Sequence, residues 1–501
     1  MEHLSQTEIK QRQGAVLAII MASYLMIVID ISIVITGLPK IKDALGFSPA
    51  SLSWVQNAYT LAFGGFLLLG ARAGDLLGRR RMFISGLGLF TFASLAIGMA
   101  PSPSWLLAFR AVQGVGAAIL APSTLALIAL YFPEGTERTR ALSYYAAAAG
   151  IGATLGLVLG GLFADLLSWR AGFFINLPIG IALMLAAQRL FAETPKHSGQ
   201  FDVAGALSST LGMSSLVFGI VHSAEQGWAH PLTAWSIGVG MALMLLFVLI
   251  ERRVKQPVLP LRLFASKERC GAYVARMLFL GGMVGFWFFA TQFLQGVLGY
   301  RPLEAGLAFL PATLPQLIVA LTVPMLVHKF GNTNLLVGGL AFCIAGLAWL
   351  GQATAHTSYL TGIALPMILL GIGQGAVLGP LTVAAVTGVA AEDSGAASGL
   401  VNVAHQLGGS LGLGVLVVVF TAASSSIVNG PEVLAHRIAS VMDASAVMLA
   451  LSLVTVLTLI LPAQRQQVET SKRDLSSLEP EPNLTSSHFD SAQTNRECYP
   501  S

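Results

Sequence analysis

The chain has 501 residues, of which 55% are hydrophobic and only 10% charged, with a mean hydropathy of +0.74. A soluble globule needs more polar surface than this composition supplies, so the solvent for most of the chain is lipid. The formal net charge of +4 does not point to nucleic acid, because the basic residues lie mostly in short loops, where the positive-inside rule accounts for them.

Residues 1–13 form a polar N-terminal segment. The apolar run that follows, from about Gly14 to Leu38, exceeds the 7–15 residues of a signal-peptide core and reads as a retained first membrane helix. Further apolar segments of spanning length lie near 52–71, 81–100, 104–130, 141–163, 171–191, 202–222, 232–250, 271–296, 304–326, 334–354, 359–386, 398–424 and 440–462. The chain is therefore expected to be an all-α membrane protein of about 14 transmembrane helices. Alternate loops differ in Lys and Arg. One set includes Arg72, Arg79, Arg80, Arg81, Arg138, Arg140, Arg252, Arg253, Arg262, Lys267 and Arg269, whereas the other holds only Lys40, Lys42, Arg170, Arg301 and Arg437. The first set is predicted to be cytoplasmic, which places both termini inside. The tail over 463–501 is polar and rich in Ser, Pro and acidic residues, and is expected to be disordered.

No GxxxxGK[ST] loop is present to cradle ATP, so transport by this chain has to draw on an ion gradient. The glycine strings at 371–375 and 409–414 lie inside apolar spans and read as helix packing rather than nucleotide binding. Cys270, Cys343 and Cys498 show no disulfide or metal spacing, so neither a metal nor a cofactor is expected.

Ionisable residues within the spans carry the functional argument, since each costs about 2.5–3.5 kcal/mol at a helix centre. Asp30 in the first segment and Arg110 in the fourth are expected at matching depths, roughly 12 and 9 Å from the same side at 1.5 Å per residue. A carboxylate between the opposed influences of burial and a guanidinium is poised to take or release a proton. A fixed ion pair holding two helices in register is the alternative. Between segments two and three, Gly70 to Phe83 gathers Asp75, Gly78, Arg79 and Arg80. Asp75 is expected to cap the third helix or bond a neighbouring helix end, and the arginines to reach another loop as a cytoplasmic latch; a purely topogenic charge cluster is the bland reading. Gly152, Gly156 and Gly160, with Gly161 beside them, give the fifth segment a small-residue face for close helix crossing. Phe289, Gln292 and Gln295 are candidates to line a cavity, and His405 to titrate or to bond a backbone carbonyl.

Together these residues resemble the major facilitator superfamily, specifically its fourteen-helix drug:proton antiporters of the EmrB/QacA type, from about Ala15 to Pro462. Asp30, Ile33, Val34, Leu38 and Pro39 match the family's acidic motif in the first helix. Asp75, Gly78, Arg79 and Arg80 resemble its gate motif, and Arg110, Gln113 and Gly114 its R-x-x-Q-G pattern, which the resemblance ties to proton coupling. Ser32, Ile35, Ala71 and Leu76 depart from these patterns. Leu157 stands where the antiporter motif of the fifth helix carries Pro, so that helix is expected to be less kinked.

The resemblance implies a major facilitator fold with two six-helix bundles over 14–191 and 251–462, and two additional helices inserted over 192–250. It implies a multi-pass protein of the cell (inner) membrane that exports amphipathic drugs in exchange for protons, with a small-molecule substrate, protons and the lipid bilayer as partners. A periplasmic adaptor with an outer-membrane channel stays open as a further partner. The alternative is a proton-coupled metabolite transporter, of an organic acid, siderophore or sugar, on the same fold.

Overall fold

The computed structural model describes residues 6–132, 135–194, 202–254, 259, 261–389, 393–423 and 430–463. The expected disordered tail, with Cys498, falls outside these residues apart from Ala463, and so do residues 1–5.

Among the described residues, 14 helices are long and apolar enough to cross a bilayer. They are α1 (Gln6–Leu45, with Gln13–Leu45 as its spanning part), α2 (Ser51–Leu77), α3 (Arg79–Gly98), α4 (Pro103–Tyr131), α5 (Arg140–Leu166), α6 (Ala171–Leu190) and α7 (Val203–Gln226). There follow α8 (Pro231–Glu251), α9 (Lys267–Gly296), α10 (Pro302–Phe330), α11 (Asn332–Leu350), α12 (Tyr359–Val386), α13 (Ala396–Ala422) and α14 (Pro431–Ala463). Helix is what lipid demands, because every backbone N–H and C=O in hydrocarbon must find a partner within the chain.

Local sequence sets the ends. Proline, which has no N–H to leave unsatisfied, opens α4, α8, α10 and α14. Ser102, Asp202 and Ser266 accept from backbone N–H groups at the starts of α4, α7 and α9. Gly78, at φ 103°, turns the chain between α2 and α3 where a side chain would be strained. The first helix is longer than expected. It starts at Gln6, within the segment read as a polar leader, and runs through Pro39 to Leu45 instead of ending at Leu38. Asp30 thus lies about 22 Å from its far end, not 12 Å.

Two sets of six helices repeat one pattern of partners. In the first, α1 packs on α5 and α6, α2 on α4, and α3 on α4 and α6. In the second, α9 packs on α13 and α14, α10 on α12, and α11 on α12 and α14. The sets meet along two seams, α2 against α13 and α5 against α10. The hairpin of α7 and α8 joins at the first seam, where α7 touches both α2 and α13.

Glycine makes the closest of these crossings. A Cβ on Gly152 would meet Leu25 and Val28, one on Gly156 would meet Ile29 and Ser32, and one on Gly160 would meet Ile33 and Thr36, so this face of α5 lies on the α1 backbone. Gly161 instead faces Pro302 and Leu303 at the start of α10. Gly371 and Gly375 lie against the α10 backbone, Gly373 against α11, and Gly412 against Gly281, all as contact surfaces. Leu157 leaves α5 without an interior proline, whereas α4, α10 and α12 carry Pro122, Pro315 with Pro324, and Pro380.

A Cβ at Gly160 would stand 2.6 Å from Ile33 Cα and 2.8 Å from its carbonyl oxygen. Gly160→Val is therefore expected to destabilise the α1–α5 contact by about 1–3 kcal/mol, read as a lower thermal midpoint of the purified protein in detergent. Gly238→Ala, at a position with nothing within 4 Å, is expected not to lower it.

Candidate functional site

The R-x-x-Q spacing puts Arg110 and Gln113 one turn apart on the same face of α4, where both meet Asp30 of α1. Arg110 Nη1 donates to Asp30 Oδ2 at 2.9 Å and to Gln113 Oε1 at 2.6 Å, and Arg110 Nε donates to the Val55 carbonyl of α2 at 3.0 Å. Gln113 Nε2 donates to Asp30 Oδ1 at 2.9 Å and to Ser94 Oγ of α3 at 2.8 Å. Asn176 Nδ2 of α6 completes the node, donating to Asp30 Oδ1 at 2.8 Å and to Ser94 Oγ at 3.2 Å. The Arg110 guanidinium lies 4.4 Å from the centre of the Tyr59 ring. Asp30 is 1% and Arg110 0% exposed, so five helices shield the charge pair from solvent.

Sequence reasoning missed Asn176 and Ser94. A lone amide in the apolar string FFINLPIG was the available signal for Asn176; Ser94 resembles any small residue of a packed helix.

Beside the node, but separate from it, lies a central cavity of about 600 Å³ lined from both helix sets. Tyr24, Ile27, Ile31 and Tyr145 face it from the first set, and Trp287, Phe288, Gln374 and His405 from the second. Tyr24 and Tyr145 stack with ring centres 3.9 Å apart. Asp30, Arg110 and Gln113 are not among its lining residues, since Ile27 and Ile31 of the same helix stand there instead. The expected cavity residues separate: His405 lines the central cavity, while Gln292 and Gln295 line a second pocket of about 680 Å³ with Lys40, Asp43, Arg301 and Arg437. Phe289 lines neither. It is buried against Phe420, with ring centres 5.0 Å apart, because it occupies the face of α9 turned towards α13. His405 Nδ1 lies 3.3 Å from Arg276 Nη2, so its partner is a guanidinium rather than the expected backbone carbonyl.

Between the two cavities the helix sets are closed on each other. Gln295 Nε2 donates to the Thr36 carbonyl at 2.9 Å. Gly306 lies on the Leu157 carbonyl, and Arg301 makes a two-point pair with Asp165, Nε to Oδ1 at 3.1 Å and Nη2 to Oδ2 at 3.0 Å. This Arg301–Asp165 bridge across the α5–α10 seam was not foreseen.

At the opposite end, Asp75 Oδ1 pairs with Arg79 Nη2 at 2.9 Å, one helical turn on, and does not cap α3. Arg80 Nη2 donates to the Gln188 carbonyl at the end of α6 at 2.6 Å, and the Arg79 N–H donates to Thr194 Oγ1 at 3.0 Å. Gly78 has the Glu193 carboxylate against it. These contacts tie the α2–α3 turn to the segment after α6, within the first helix set. In the second set, Arg262 grips Asp393, Nε to Oδ2 at 2.6 Å and Nη2 to Oδ1 at 2.7 Å.

Residues 20–413 match the family model described as Major Facilitator Superfamily. The chain is 39% identical over 446 residues to the cephamycin export protein CmcT of Amycolatopsis lactamdurans, covering 88% of this chain and 91% of that one. It is 38% identical over 416 residues to the puromycin resistance protein pur8 of Streptomyces alboniger, covering 82% of each. Among solved structures, a bacterial homolog of the human lysosomal transporter Spinster superposes with a TM-score of 0.64 at 16% identity, covering 89% of this chain and 96% of that one.

Two outcomes follow from these ion pairs. Arg110→Ala leaves a buried carboxylate without its counter-charge and is expected to cost about 3–5 kcal/mol of stability, measured by thermal unfolding in detergent. Asp30→Asn keeps the shape but turns one acceptor into a donor facing other donors and leaves the Arg110 guanidinium unpaired, and is expected to cost a comparable amount. Hydrogen bonds from Arg262 hold the Asp393 carboxyl below its ordinary value of 3.8. The stabilising contribution of that pair is therefore fully present above the ordinary value and is lost as pH falls through the lower value in the folded protein. Arg262→Gln is accordingly expected to lower the thermal midpoint at neutral pH, with the difference from wild type shrinking below about pH 4.

Proposed function

The chain belongs to the Major Facilitator Superfamily, and on that footing we propose that it exports amphipathic small molecules in exchange for protons, with Asp30 as the proton-carrying group. It is a multi-pass membrane transporter, not an enzyme, and its relatives are named for antibiotic export and resistance. Those names favour efflux of antibiotic-like molecules over the metabolite-transporter reading.

One observation carries the proton assignment. Asp30, the carboxylate of the sealed node, has both oxygens occupied by Arg110, Gln113 and Asn176, on the helix whose next residue, Ile31, faces the cavity. A rotation of α1 that opened the node to water would change the charge balance around Asp30 and bring the cavity wall with it. Proton transfer and cargo movement are thereby linked through one helix. Gln113 and Asn176 act as positioning residues that hold the carboxylate for Arg110.

The two six-helix sets are the units that rock, about the α2–α13 and α5–α10 seams. The Arg301–Asp165 bridge and Gly161 close one end of the path; the contacts of Asp75, Arg79 and Arg80 brace the turn at the other. The Lys and Arg asymmetry orients the second end, with both termini, towards the cytoplasm of a cell (inner) membrane. A periplasmic adaptor and outer-membrane channel, were they partners, would meet the face that carries Asp165 and Arg301.

Proteoliposomes with an inside-acid gradient, challenged with a panel of amphipathic cations and carboxylates, test this reading. Wild type is expected to release protons on addition of a transported compound, and Asp30→Asn to lose that release while still binding the compound. Equal proton release by the variant would remove Asp30 as the coupling group.

A further inference from the structure

The second helix set contains a buried cation for which no counter-charge is in place among the described residues. Arg276 of α9 is 6% exposed, and among the described residues no carboxylate comes within ion-pair distance of it. Its two hydrogen-bond partners are neutral: Nη1 donates to Thr382 Oγ1 of α12 at 3.0 Å, and Nη2 donates to His405 Nδ1 of α13 at 3.3 Å. Its Nε has no hydrogen-bond partner among the described residues. By contrast Arg110, fully enclosed, has Asp30. A guanidinium withdrawn from water without an opposing charge is a costly arrangement, and it is relieved by an anion that comes to it.

The arrangement is held rigidly and lies at the edge of the central cavity. Gly408 sits on the Met277 backbone and Gly412 on Gly281, so α9 and α13 cross at backbone contact, which fixes Arg276 beside His405. Leu280 of α9 and Leu378 of α12 line the cavity, one turn from Arg276 and Thr382, and His405 lines it directly. Because His405 accepts through Nδ1, its proton is on Nε2, and the ring keeps a donor for a second acceptor.

We propose that Arg276, with His405 and Thr382, forms an anion subsite at this end of the cavity, and that the cargo carries a carboxylate on an apolar, aromatic body. The planar fork of the guanidinium matches the two oxygens of a carboxylate, and the Nε–H left without a partner is one of the donors such a fork uses. The aromatic body finds Trp287, Phe288 and the stacked Tyr24–Tyr145 pair in the same cavity. The inference rests on the reading of the central cavity as the cargo site and adds the charge of the cargo to it.

The test is binding of a matched pair of probes, 1-pyrenebutanoic acid and its methyl ester, to the purified full chain in nanodiscs, followed by energy transfer from tryptophan. Wild type is expected to bind the acid at least about tenfold more tightly than the ester, and Arg276→Gln to bring the ratio of the two affinities close to one. Arg276→Lys should retain part of the preference, since it keeps the charge without the fork. Should Arg276→Gln fail to fold, Thr382→Val and His405→Phe read the same ratio and are each expected to reduce it. No preference for the acid in wild type, or an unchanged preference in the variants, overturns the proposal. A preference that exists only when chloride is removed assigns the subsite to inorganic anions and overturns it as well. Since the readout is an affinity ratio and not proton flux, failure here leaves proton exchange through Asp30 standing, and failure of the Asp30→Asn experiment leaves the anion subsite standing.

Discussion

A carboxylate and a guanidinium stripped of water, 2.9 Å apart in the middle of five helices, set the terms for the rest of the first helix set. Neither charge can be left alone in that environment without a penalty of several kcal/mol, so Gln113, Asn176, Ser94 and the Val55 carbonyl are drawn in around the pair. Each of those groups comes from a different helix or turn, and meeting the requirements of the node fixes how α1, α2, α3, α4 and α6 sit relative to one another. The small faces of α5 then let α1 lie against it at backbone distance. A proton arriving at Asp30 would alter a structural centre as well as a charge.

The two helix sets have the same pattern of partners but opposite electrostatics. The first encloses a neutralised pair sealed from the cavity; the second encloses Arg276 at the cavity's edge with neutral partners. An exchanger of this design would handle its proton in one half and the polar end of its cargo in the other, with the aromatic cavity between them. The coupling then runs through the rocking of the halves and does not need the two ligands to touch.

Much of the fold was legible in the sequence because the physics that writes it is simple. Lipid requires about 20 apolar residues per helix, which makes fourteen spans visible to a reader of composition. Asp30 and Arg110 stood out because charge inside such spans is rare. What the sequence concealed were relations between distant positions. Asn176 acquires its role only because α6 passes Asp30, and Asp165 meets Arg301 only because α5 and α10 share a seam. The extension of α1 to Leu45 escaped notice because Lys40, Lys42 and Pro39 look like a loop, although a helix protruding from the bilayer tolerates all three. Phe289 was grouped with its aromatic neighbours, but successive residues of a helix point in different directions, and only Trp287 and Phe288 of that run reach the cavity.

The hairpin of α7 and α8 makes the molecule lopsided in the plane of the membrane. With α7 lodged along α2 and α13, that seam is backed by protein, while among the described residues no further spanning helix packs over the α5–α10 seam on the other side. Were the seams to part, a compound dissolved in the bilayer would therefore find α7 in its way on one side only. The same asymmetry turns the backed seam into the natural fulcrum of any rocking motion, so the halves would part more widely on the lipid-facing side, like a book opened against its spine.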